Sequence, residues 1–97
     1  MTGTMLYMVI EHFKDDSASA IYRRVREQGR LLPEGLRYLS SWVSVDFSRC
    51  FQLMETEDAS LFEVWIRRWS DLVEFEVIPV RNSTEAAQVM AAAEGER

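Results

Sequence analysis

Ninety-seven residues leave room for one domain with one hydrophobic core. Apolar residues make up 47% of the chain, too many for a disordered segment, and the formal charge of −5 argues against DNA or RNA as the main partner, because phosphate binding needs a basic surface. The single cysteine, Cys50, excludes an internal disulfide and points to a reducing, cytoplasmic compartment.

Met1, Thr2, Gly3 and Thr4 read as a loose leader. Residues 5–10 are apolar, but Glu11 and His12 end that run far short of the ~20 residues a transmembrane helix needs. No basic region precedes it, so neither a signal peptide nor a membrane span is expected. An unbroken apolar run of this length fits a strand covered on both faces. Lys14, Asp15 and Asp16 close it, and Asp16 or Ser17 can cap the next helix. There Ala18, Ile21, Tyr22 and Val25 recur at spacings of three and four, giving one buried stripe. Arg23, Arg24, Glu27 and Arg30 fall on the opposite, solvated face. Pro33 and Gly35 break the chain, with Leu31 and Leu32 tucked under the sheet.

Residues 36–45 read as a second strand and 49–55 as a third, joined by a hairpin loop at Asp46, Phe47 and Ser48. Asp58 offers an N-cap, and Ser60 with Glu63 a capping box. The next helix carries Leu61, Phe62, Trp65, Ile66, Trp69 and Leu72 at helical spacing. Residues 75–80 form a fourth strand, which Pro79 assigns to a sheet edge. The alanine-rich segment from Thr84 favours helix by propensity, with a thin apolar face and a frayed end from Glu94 to Arg97.

This order, βαββαβ plus a short C-terminal helix, predicts a ferredoxin-like α+β sandwich. Its core spans residues 5–81 and its helical tail 83–97, with an antiparallel four-stranded sheet and both helices on one face. A half-solvated strand alternates apolar and polar residues, yet the first strand is apolar at both parities. Leaving such a face wet costs many kcal/mol at ~25 cal/mol per Å², so something covers it. A second copy of the same sheet is the simplest cover and predicts a homodimer through the sheet face. The tail helix folding back is the competing cover, but it is small for the task.

Five strings carry a family resemblance. They are Met5-Leu6-Tyr7-Met8-Val9-Ile10-Glu11-His12-Phe13, Leu32-Pro33-Glu34-Gly35-Leu36, Ser41-Trp42-Val43, Arg49-Cys50-Phe51-Gln52-Leu53-Met54-Glu55 and Trp69-Ser70-Asp71-Leu72-Val73-Glu74-Phe75. Up to about Val80 the chain resembles the uncharacterised family called domain of unknown function 3303, itself similar to the dimeric α+β barrel superfamily. The resemblance implies two ferredoxin-like sheets packed face to face, with a pocket between helices and sheet in each subunit. That superfamily includes cofactor-free antibiotic-biosynthesis monooxygenases, heme-degrading enzymes and stress-responsive proteins, and fold does not choose among them. The heme-degrading relatives place a histidine on the second helix, and this helix has none.

His12 is the one histidine and a candidate catalytic base, although strand parity separates it from Glu11, and a solvated strand end is the plainer reading. Gln52 interrupts the apolar run of a central strand, so its amide needs a partner: a ligand, a neighbouring strand or a symmetry mate. A hairpin register set by residues 46–49 would place Gln52 opposite Val43 and Trp42 opposite Leu53. Trp65 and Trp69 share a helical face that suits a flat organic ligand, although aromatic residues at this spacing more often form core. Tyr22, Tyr38 and Trp42 are possible additions to that ligand-binding group. Cys50 beside Arg49 invites a thiolate reading, with a core strand cysteine the plainer one. One histidine and one cysteine fall short of a metal site, and no phosphate loop, nucleophile elbow or dinucleotide fingerprint appears, so neither metal nor cofactor is expected.

Three functions follow. The first is a homodimer binding a small apolar or aromatic molecule. The second is a cofactor-independent monooxygenase or isomerase with His12 as base. The third is a purely structural dimerisation module.

Overall fold

A computed structural model describes residues 3–95. The leader positions Met1 and Thr2, and the chain end at Glu96 and Arg97, lie outside the described residues. The doubly apolar run forms β1 (Met5–Phe13), followed by α1 (Ala18–Gln28), β2 (Leu36–Val43), β3 (Arg49–Thr56), α2 (Leu61–Arg67), β4 (Val73–Val80) and α3 (Ser83–Gly95). The four strands make one antiparallel sheet in the order β2-β3-β1-β4. Each half of the chain therefore crosses over one strand, which is the ferredoxin-like arrangement. β4 lies at an edge, where Pro79 disturbs no continuing ladder.

One face of the sheet carries the core. Val9, Leu36, Met54 and Val73 meet Ile21 of α1 and Phe62 and Trp65 of α2, with Trp69 just beyond α2. Tyr7 and Phe62 meet edge to face, as do Trp65 and Phe75, tying α2 to the two strands beneath it. α1 starts at Ser17, whose hydroxyl does not cap the helix but donates to the Leu72 carbonyl at 2.9 Å. The turn after β1 is thereby pinned to the corner that leads into β4.

α2 is shorter than its apolar spacing suggests. After Arg67 the chain continues in i→i+3 bonds, Arg68 N to Trp65 O and Trp69 N to Ile66 O, so Trp69 follows Trp65 in a tightened last turn. The Ser60–Glu63 box does not form, because Ser60 Oγ donates to Asp58 Oδ1 at 2.6 Å; Asp58 also accepts the Ser60 amide and opens the turn. β2 stops at Val43, leaving Val45 97% exposed, and β4 begins two residues earlier than the sequence suggested, at Val73. A loop of residues 44–48 is closed by Ser44 N to Arg49 O and knotted by the Ser44, Asp46 and Ser48 side chains.

The opposite face of the sheet is uncovered. By strand alternation it presents Leu6, Met8 and Ile10 from β1, Phe51 and Leu53 from β3, and Ile78 and Val80 from β4. Trp42 of β2 stands at its margin, 57% exposed. α3 does not cover it, since no α3 residue is buried. The radius of gyration is 16.0 Å, against about 13 Å for a compact domain of this size. That difference fits one helix–sheet sandwich with a tail helix standing clear.

Candidate functional site

Between α1, the two tryptophans and the inner face of the sheet lies a cavity of about 170 Å³. Phe13, Ile21, Val25, Val43, Trp65 and Trp69 supply its apolar walls. Glu11, Tyr22, Arg30, Ser41, Cys50 and Gln52 supply its polar ones. The loop after α1 positions both indoles: the Arg30 carbonyl accepts Trp65 Nε1 at 3.0 Å and Trp69 Nε1 at 2.9 Å. Gly29 permits that loop with φ +73°, ψ −162°, a conformation other residues adopt only under strain.

The Arg30 side chain turns inward. It lies 3.6 Å from the centre of the Tyr38 ring, and Nη1 donates to Gln52 Oε1 at 2.7 Å. Gln52 Nε2 in turn donates to Glu11 Oε2 at 2.6 Å. Because guanidinium only donates, the amide orientation of Gln52 is fixed by its partners. Gln52 is 1% exposed and both ends of its amide are satisfied, which removes the cost of burying it.

Glu11 is 9% exposed, and burial pushes its carboxyl up from 4.5 to about 7, against the pull of the Gln52 hydrogen bond and the Arg30 charge. Burial, and then the Glu11 charge, push the Cys50 thiol up to about 12, so it is a protonated wall group rather than a nucleophile. Arg49 does not activate it, because that guanidinium lies over the Phe51 ring on the other sheet face. Tyr22 holds its proton more tightly than usual, mainly through burial. The Phe47 ring of the β2–β3 loop meets it edge to face at 6.3 Å.

The structure thus brings Tyr22, Gln52, Trp65 and Trp69 around one cavity. Tyr38 stands one residue back, holding Arg30 and donating or accepting with Ser41 Oγ at 2.7 Å. Trp42 is on the opposite face, paired across from Phe51 rather than Leu53, and Gln52 is paired across from Ser41 rather than Val43. The hairpin loop, closing at Ser44 and Arg49, shifts this register by two residues, which preserves the faces, and a bulge between Tyr38 and Ser40 adds one further residue beyond it. His12 also lies across the sheet from the cavity, its Nε2 2.8 Å from Glu76 Oε1 in an exposed pair. Arg30, expected on the solvated side of the first helix, lies beyond the end of α1 and faces inward.

Two site residues escaped the sequence reading, Glu11 and Arg30. Strand parity marks Glu11, since it shares the inward set with Tyr7, Val9 and Phe13. No local pattern marks Arg30, whose placement depends on where α1 ends. Among the described residues no group of three or more His, Cys, Asp or Glu side chains could hold a metal ion, and no helix is long and apolar enough to cross a membrane.

An antiparallel sheet with two helices on its inner face and a cavity between the layers defines a ferredoxin-like α+β protein. The chain belongs to the family described as Domain of unknown function (DUF3303), whose model matches residues 5–94. It is similar in structure to a provisionally named antibiotic biosynthesis monooxygenase from Nitrosomonas europaea (TM-score 0.54, 14% identity, covering 86% of this chain and 93% of that one). Another provisionally named antibiotic biosynthesis monooxygenase, from Bacteriodes thetaiotaomicron VPI-5482, aligns at TM-score 0.53 and 14% identity over 84% of this chain and 90% of that one. An uncharacterized NIPSNAP-like domain protein from Burkholderia xenovorans aligns at 0.52 and 12% identity, covering 86% and 89%. At these identities the likeness establishes the fold. No curated protein matches the sequence.

Proposed function

We propose that this protein is a cytoplasmic homodimer, joined through the open sheet face, that binds a small aromatic molecule in the helix–sheet cavity of each subunit. The observation that carries the reading is the cavity itself: two indoles held by one carbonyl, with a satisfied Arg30–Gln52–Glu11 relay along its floor. A solidly packed interior would have favoured a purely structural module. The second copy is the occupant that best fits the open face, whose apolar centre is bordered by the Arg37–Glu55 and His12–Glu76 pairs as interface cores are bordered by polar rims. Native mass spectrometry of freshly purified protein tests both halves together. A dimer carrying a small-molecule adduct is expected; a lone subunit without adduct at micromolar concentration would sink the reading.

A second reading, cofactor-independent oxidation or isomerisation, is favoured by one observation. Glu11 is a carboxyl of near-neutral proton affinity at the cavity wall, suited to general acid–base work. His12, the base suggested by sequence, lies on the far face of the sheet. Loss of turnover in Glu11→Gln with turnover retained in His12→Ala is the pattern this chemistry requires.

A further inference from the structure

The relay leaves one atom unused. Glu11 Oε2 is taken by Gln52, but Oε1 has no hydrogen-bond partner among the described residues. No fully buried side-chain oxygen or nitrogen among them lacks a partner, so Oε1 is not sealed in the core and opens on the cavity. Around it two other polar groups already have partners. Arg30 is held by Gln52 and the Tyr38 ring, and Ser41 by the Tyr38 hydroxyl. A volume of about 170 Å³ is that of a single ring, since an engineered cavity of ~150 Å³ accommodates benzene.

We propose that the cavity selects a single-ring aromatic ligand bearing a hydroxyl group, the ring lying against Trp65 and Trp69 and the hydroxyl donating to Glu11 Oε1. This rests on the cavity-binding reading above and names its ligand class. Above pH 7 a ring carboxylate is rejected, because it would bring a second negative charge to the Glu11 carboxylate. An unsubstituted ring leaves Oε1 desolvated and unpaired.

The groups facing Glu11 make the contact sensitive to pH. Arg30 approaches from the loop after α1, Tyr22 from α1, Cys50 and Gln52 from β3, Phe75 from β4, and Trp65 and Trp69 from the α2 side. Tyr22 and Cys50 keep their protons near neutrality, both being raised by burial. Glu11 is then the cavity group whose charge changes between pH 5.5 and 8.5. As a carboxylate it accepts the hydroxyl in a charge-assisted bond, about twice as strong as the neutral one.

The test is calorimetric titration of the full-length protein with phenol, toluene and benzoate at pH 5.5 and 8.5. The phenol-to-toluene affinity ratio is expected to rise roughly fivefold to tenfold between the two pH values, with no benzoate binding at pH 8.5. In Glu11→Gln the ratio should stay constant. Should that variant fail to fold, the wild-type ratio decides by itself. Toluene and phenol binding with an unchanging ratio, or benzoate displacing phenol at pH 8.5, overturns the hydroxyl assignment while the cavity reading stands. No binding of any ring at millimolar concentration overturns both.

Discussion

Burial makes Glu11 hold its proton more tightly in the folded protein than in the unfolded chain, about 7 against 4.5, and the sign of its effect on stability follows. Its contribution is whole below pH 4.5 and is lost as the pH rises through 7, by on the order of 3 kcal/mol in total. Urea denaturation should therefore show the wild type less stable at pH 8 than at pH 5, and Glu11→Gln nearly level across that window. Asp46, Asp58 and Asp71 have lowered proton affinities; their contributions are present above pH 3.8 and fade below it, outside this range. Equal wild-type stability at pH 5 and 8 would falsify the account of Glu11. Gln52 is the mechanical link in the same relay. Replacing it with leucine removes the side-chain hydrogen bonds of both Arg30 and Glu11, and a loss of about 2–4 kcal/mol is expected in denaturant titrations.

Among the elements, the segment between α1 and β2 fixes the cavity, and its two glycines should respond differently to alanine. A Cβ at Gly29 would meet open space, so only the backbone conformation is strained. At Gly35, φ +96°, the Cβ would also lie 3.0 Å from Leu61 Cδ1 at the start of α2. Gly29→Ala is expected to cost about 1 kcal/mol and Gly35→Ala more, up to ~3 kcal/mol, read as a shift in Tm. α3 is at the other extreme. With no buried residue its helicity rests on the Asn82 cap, where Oδ1 accepts the Glu85 amide, and on alanine propensity. Its amides should exchange with deuterium well before those of β1 and β3. Protection of α3 equal to that of β1 would show that a partner surface holds it.

At the scale of the whole molecule, a sheet apolar on both sides and a tail helix that covers neither leave one apolar surface open, the surface that the proposed homodimer would bury. Leu53, at the middle of that surface on a central strand, is the position to test. Leu53→Lys should convert a sedimenting dimer to monomers while leaving the helix-facing cavity intact, because its side chain points away from it. An unaltered sedimentation coefficient would place the interface elsewhere.

The residue pattern determined the element order, the edge position of β4, the doubly apolar sheet and the separation of Glu11 from His12, all of which follow from periodicities of two and 3.6 that local stereochemistry imposes. Only the tertiary structure decided the hairpin register, the one-residue bulge between Tyr38 and Ser40, and the meeting of Arg30 with Gln52, 22 positions away, and of Gln52 with Glu11, 41 positions away. Those contacts depend on where helices stop and how loops close. Such choices are made by packing between distant segments, so no short window of sequence contains them.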